Sequence, residues 1–94
     1  MDKLYRGAQI AYVPLHAHGD LKHEGVQFGF ITGLALSKGF CFCRYWIKGR
    51  PGELRTAARS EQTPIECLRL HKSVPDELLE KTILDLGYEP PIPT

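Results

Sequence analysis

The chain has 94 residues and a mass of 10.6 kDa, room for one domain, because domains run from about 50 to 250 residues. Hydrophobic residues make up 43%, enough for a small core, which excludes disorder as the state of the whole chain. A formal net charge of +1 excludes a histone-like polycation and an acidic mimic of nucleic acid.

The charge is unevenly distributed. Residues 1–59 carry nine Lys/Arg against four Asp/Glu, and residues 60–94 carry three against seven. Opposed halves fit a basic binding face, head-to-tail association of subunits into a homo-oligomer, or neutralisation within one fold. The longest apolar run, Gly33 to Ile47, is interrupted by Lys38 and Arg44 and is too short to span a bilayer, so no membrane role is expected. The first seven residues show no apolar signal core, and three cysteines are an odd number. Cys41 and Cys43 stand two apart on one face of a strand, poorly placed to pair, so free thiols and a cytoplasmic location are expected.

Ala8-Gln9-Ile10-Ala11-Tyr12-Val13 reads as a strand, opened after Gly7 and stopped by Pro14. Leu15 to Gly25 has two glycines, three histidines and no sustained period, which predicts a long loop of the kind that often carries function. Val26 to Thr32 alternates apolar residues as a second strand, with Gly29 marking a bulge or a close backbone approach. After a bend over Gly33 to Gly39, Phe40 to Ile47 is apolar on both faces and is expected to be the central strand. Lys48-Gly49-Arg50-Pro51-Gly52 predicts a turn with Pro-Gly at its middle, and Leu54 to Arg59 a returning strand. Ile65 to Leu70 reads equally as a helical turn or a closing strand. Ser73 as cap, Pro75 near the first turn, acids at 76, 77 and 80, and Gly87 as terminator frame one amphipathic helix over about 74–87. The tail 88–94, with three prolines, is expected to be extended.

Three constellations carry chemistry. His16, His18, Asp20 and His23 fall within eight residues of the first loop, and imidazole with carboxylate suits zinc, with His16, Asp20 and His23 as the ligand set. No Cys-x-x-Cys or His-Glu-x-x-His spacing accompanies them, so no metal or other cofactor is expected; turn capping with solvated imidazoles is the favoured reading and zinc the alternative. Lys48, Arg50, Arg55 and Arg59, with Arg44, Tyr45 and Trp46 interleaved, suit phosphate and base recognition, hence RNA, single-stranded DNA or a nucleotide; the competing reading is the solvated face of a hairpin. Cys41 and Cys43, flanked by Phe40 and Phe42, read as small buried hydrophobes rather than reactive thiols. No nucleophile elbow or glycine-rich phosphate loop is present, so no enzymatic activity is expected.

The run Tyr12-Val13-Pro14-x-His16-Ala17-x-Gly19-Asp20-x-x-His23, followed by Gly29 with Thr32, Phe42-x-Arg44-Tyr45, Thr56-x-Ala58 and Leu68, resembles small uncharacterised proteins encoded by bacteriophages and prophages. The resemblance covers about residues 7–70, and Gln27 stands where that pattern has an acid. It implies a mainly β fold, a small five-stranded Src homology 3-like (KOW-like) barrel, here followed by one C-terminal α-helix. It further implies a phage binding module that engages a host protein, such as a defence or transcription component, inside the bacterial cytoplasm. Together with the residue reading, it assigns partner contact to His16, His18, Asp20, His23, Arg44, Tyr45 and Trp46, with nucleic-acid binding through Lys48, Arg50, Arg55 and Arg59 as the alternative.

Overall fold

The computed structural model describes residues 4–55 and 60–87. These form a mainly β fold: six antiparallel strands, β1 (Gln9–Tyr12), β2 (Gln27–Ala35), β3 (Phe40–Ile47), β4 (Arg50–Leu54), β5 (Glu61–Pro64) and β6 (Leu68–Leu70), followed by one helix, α1 (Asp76–Asp85). The strand order is β4-β3-β2-β1-β6, and β5 lies on β3. No helix among the described residues is long and apolar enough to cross a membrane.

β3 is the hub, as its apolar run on both faces requires. Cys41, Cys43 and Tyr45 point to one side, into a core with Ala8, Ile10, Ile31 and Leu68. Trp46 points to the other, where Phe30, Val74, Leu79 and Ile83 enclose it and α1 forms the cover. A third cluster of Ala11, Val13, Ala17 and Val26 lies under the first loop.

Two features depart from the expected five-stranded barrel. Gln62 pairs with Phe42 and Thr63 with Cys41, so residues 61–64 are a sixth strand that local propensity does not announce. The ladders also do not close. β4 and β5 share the outer edge of β3 end to end, and the 3-10 turn Ile65–Cys67 separates β5 from β6, which pairs only β1. Residues 65–70 therefore satisfy both readings in succession, helical turn and then strand.

The reversal after β3 falls earlier than the Pro-Gly signal predicts. Lys48 and Gly49 make the turn, with Gly49 at φ +80°, and Pro51-Gly52 lies within β4. There the ladder steps from Ile47 opposite Arg50 to Trp46 opposite Leu54, an irregular edge where a proline lacking its N–H costs nothing. The returning strand is thus Arg50–Leu54, and residues 56–59, including Arg59, lie outside the described residues, as does the tail 88–94.

Ser73 does not cap α1. Pro75 occupies the cap position without a side-chain bond, Asp76 and Glu77 face the helix N-terminus, and Gly87 terminates the last turn at φ +82° as expected.

Gly29 marks a close approach and not a bulge; the register shift falls between Ile31 and Gly33. A Cβ on residue 29 would lie 1.9 Å from the Arg44 carbonyl oxygen and 2.8 Å from Tyr45 Cα. Backbone cannot yield as a flexible side chain does. Gly29→Ala is therefore expected to cost about 3 kcal/mol or more in urea denaturation. Gly49→Ala, which meets open space but keeps a positive φ, is expected to cost about 1 to 2 kcal/mol. Equal losses in the two variants would refute the close-approach account.

Candidate functional site

The connection between β1 and β2 is long but built. Val13 N–H donates to Cys67 O at 2.7 Å, and the turns close through Ala17 N–H to Pro14 O, His18 N–H to Leu15 O, Asp20 N–H to Ala17 O, His23 N–H to Asp20 O and Val26 N–H to His23 O. Asp20 Oδ1 accepts Lys22 N–H at 2.9 Å, an Asx turn, and His23 Nδ1 accepts Gly25 N–H at 2.9 Å. His16 and His23 meet edge to face, with ring centroids 5.0 Å apart. Ala17 and Val26 anchor the loop in the core.

Outward, the same loop presents Leu15, 70% exposed, and Leu21, 39% exposed, beside exposed His16, His18 and Asp20. The histidines therefore do not gather around Asp20. Among the described residues no three His, Cys, Asp or Glu side chains converge as a metal would require. The Asp20 carboxylate is turned to its own backbone, and one nitrogen of His23 is already an acceptor.

Arg44, Tyr45 and Trp46 do not form an outward stripe; all are buried, at 4, 5 and 4% exposure. Tyr45 shares a hydrogen bond of 2.7 Å with Thr63 Oγ1, and Arg55 stands 5.6 Å over the Tyr45 ring. Of the basic residues, the Arg55 guanidinium donates to Gln27 Oε1 and to Glu61, Lys48 Nζ donates to the Glu24 carbonyl, and Arg50 faces Glu53 at 3.8 Å on the exposed edge.

Trp46, though buried, contributes to the wall of a cleft. Between the end of the first loop and the β3–β4 turn lies a mostly apolar cleft of about 410 Å³, with Val26, Phe28, Trp46, Ile47 and Pro51 in its walls and Lys48, Arg55 and Ser73 around them. Trp46 Nε1 and Ser73 Oγ are buried and have no hydrogen-bond partner among the described residues. Sequence reading missed Phe28, Pro51 and Ser73 as members of one site. Phe28 reads as an ordinary strand residue, Pro51 as a turn and Ser73 as a cap, and only the pairing of distant segments joins them. Comparison with protein-family models, with curated proteins and with solved structures found no match to this chain.

The buried polar cluster beneath Tyr45 sets a pH response. Burial, eased by hydrogen bonds from Tyr45 and Thr63, pushes the Cys43 thiol up to about 11, and burial raises the Tyr45 hydroxyl further still. Both groups are held neutral, so the unfolded chain releases their protons first and stability falls as pH rises. The Cys43 contribution is intact below about pH 9 and lost towards about pH 11, an order of 2 to 3 kcal/mol. Urea denaturation across that window is expected to show a steep decline that Cys43→Ala flattens. An unchanged slope in the variant would place the response elsewhere.

Proposed function

We propose that this chain is a phage-encoded, non-enzymatic binding module of Src homology 3-like architecture that engages a host protein through its first loop. The single observation that carries the reading is Leu15, a large apolar side chain 70% exposed on a loop whose backbone is closed turn by turn. An exposed leucine costs the free protein solvation without any packing return, and a rigid mount spares the ordering entropy that association otherwise takes. Leu21, His16 and His18 beside it supply a mixed apolar and polar surround, the anatomy of a small protein interface. The architecture is supported by the long first connection, the 3-10 turn before the last strand and the return of β6 onto β1.

Within this reading the partner residues are His16 and His18 with Leu15 and Leu21, while Asp20 and His23 hold the loop in shape. The nucleic-acid reading draws less support, because Arg50 and Arg55, on and beside β4, already face Glu53 and Glu61.

Native mass spectrometry of untagged protein taken from bacterial host lysate tests the proposal. A partner of discrete mass is expected to remain bound as salt is raised. It is expected to be lost in Leu15→Asp, whose own stability changes by no more than about 0.5 kcal/mol, and kept in Arg50→Ala. Retention by Leu15→Asp, or a complex that dissociates steeply with salt, would overturn it in favour of a phosphate-driven ligand.

A further inference from the structure

β6 is the last strand of its sheet and pairs only with β1. Along it, Cys67 O accepts Val13 N–H at 2.7 Å and His71 N–H donates to Gln9 O at 3.0 Å. Residues 67, 69 and 71 therefore turn their main-chain groups to β1, and residues 68 and 70 turn theirs away. Leu68 N–H closes the preceding 3-10 turn onto Ile65 O. The Leu68 carbonyl and both main-chain groups of Leu70 have no hydrogen-bond partner among the described residues, and Leu70 is 37% exposed. An edge of this kind takes an extended segment, because only a strand answers its donors and acceptors in register.

Native sheet edges are commonly blunted by a charged side chain standing over them. Here the charge is laid aside. A Cβ on Gly19 would lie 3.3 Å from Arg69 Nη2 and 3.6 Å from Nη1, so the guanidinium rests on the first loop. Arg69 is exposed and has neither an ion pair nor a hydrogen bond from its side chain among the described residues. Asp20, next in the loop, gives its Oδ1 to Lys22 N–H, and Asp76 is met by Lys72 at 3.2 Å. An unanswered guanidinium beside an open edge selects a carboxylate. A cleft of about 280 Å³ beside Leu70, with Tyr5, His71 and Lys72 also in its lining, leaves room for an apolar side chain of the same segment. A second copy of this chain fits worse. Pairing β6 with itself would set Arg69 of one copy against the basic stretch of Arg69 and Lys72 in the other, and like charges across a ladder destabilise it.

We infer that the partner adds an extended segment to the free edge of β6, its main chain bonded to Leu68 and Leu70 and a carboxylate of the segment at Arg69. This rests on the reading of the chain as a module that engages a host protein, and it names what that protein contributes.

The test is an NMR titration of the full, ¹⁵N-labelled chain with the peptide acetyl-Thr-Thr-Val-Glu-Val-Thr-Thr-amide and with the same peptide carrying Lys in place of Glu. The Glu peptide is expected to bind with a Kd no weaker than about 1 mM, moving the Leu70 amide more than those of Arg69 and His71, which already face β1. The Lys peptide is expected to bind at least about tenfold more weakly. Arg69→Glu is expected to reverse that preference, an outcome that loss of folding would not produce. Leu70→Pro removes the outward N–H and spares the β1 ladder, whose bonds come from residues 67, 69 and 71, and it is expected to abolish binding. The proposal is overturned by the absence of a saturable shift with the Glu peptide up to about 1 mM, by equal affinity for the two peptides, or by binding that survives Leu70→Pro. It is equally overturned if the Leu70 amide becomes protected from hydrogen exchange as protein concentration rises, in step with a dimer in sedimentation, which would seat a second copy on the edge. Leu15→Asp is expected to leave the peptide titration unaltered. A lysate partner lost in Leu15→Asp but kept in Leu70→Pro would overturn this inference and leave the partner reading standing.

Discussion

The side-chain amide of Gln9 fastens the segment between β6 and α1 to the first strand. Its Nε2 donates to Val74 O at 2.8 Å, and its Oε1 accepts from Ser73 N–H at 2.9 Å and Val74 N–H at 3.0 Å. Gln9 lies opposite Phe30 in the β1–β2 ladder, on the face that α1 covers, and its own carbonyl accepts His71 N–H at 3.0 Å. The chain leaving β6 is thereby fastened, atom by atom, to the start of β1. Without these bonds, three main-chain polar groups at residues 73 and 74 would need other partners in a buried setting, each at about 1 to 3 kcal/mol. Val74 would lose its seat against Phe30 and Trp46, and with it the lead into α1. The cleft depends on the same fastening, because Ser73 is one of its lining residues.

A single strand serves two cores because successive side chains of β3 point to opposite faces, Cys43 and Tyr45 to one and Trp46 to the other, and both faces are covered. At Gly29 the backbone of β2 leaves no room for a Cβ beside the Arg44 carbonyl, which keeps that stretch of the ladder under full cover. That burial is also why Arg44, Tyr45 and Trp46 do not act as a surface stripe. Strand content in apolar and basic residues reads the same whether a side chain points into solvent or under a helix.

Local signals made much of the architecture legible. β3 was expected over Phe40 to Ile47 and occupies those residues, and the caps of α1 failed only at Ser73. Where reading from sequence failed, a distant partner decided. Glu61–Pro64 has poor strand propensity and becomes a strand because β3 offers Phe40 to Cys43 as an open edge. Pro51-Gly52 is a strong turn signal that lost to Lys48-Gly49, because an irregular edge strand can absorb a proline while the ladder at Ile47 sets where the reversal begins. Gln9 reads as the polar position of an alternating strand, and nothing nearby in sequence tells that its amide meets residues 73 and 74. Of the candidate residues, the loop histidines were legible as a cluster and their separate duties were not. His23 Nδ1 is an acceptor only because Gly25 N–H stands in front of it.

The exposed loop and the cleft are parts of one construction. The loop's last residues, Glu24 to Val26, are also a wall of the cleft, and the Lys48 ammonium reaches across from the β3–β4 turn to the Glu24 carbonyl. That bond ties the turn to the loop at the cleft's mouth, while Val26 and Ala17 fix the loop from beneath. The segment that positions Leu15 is thus braced from below by apolar packing and from the side by a charge-assisted bond.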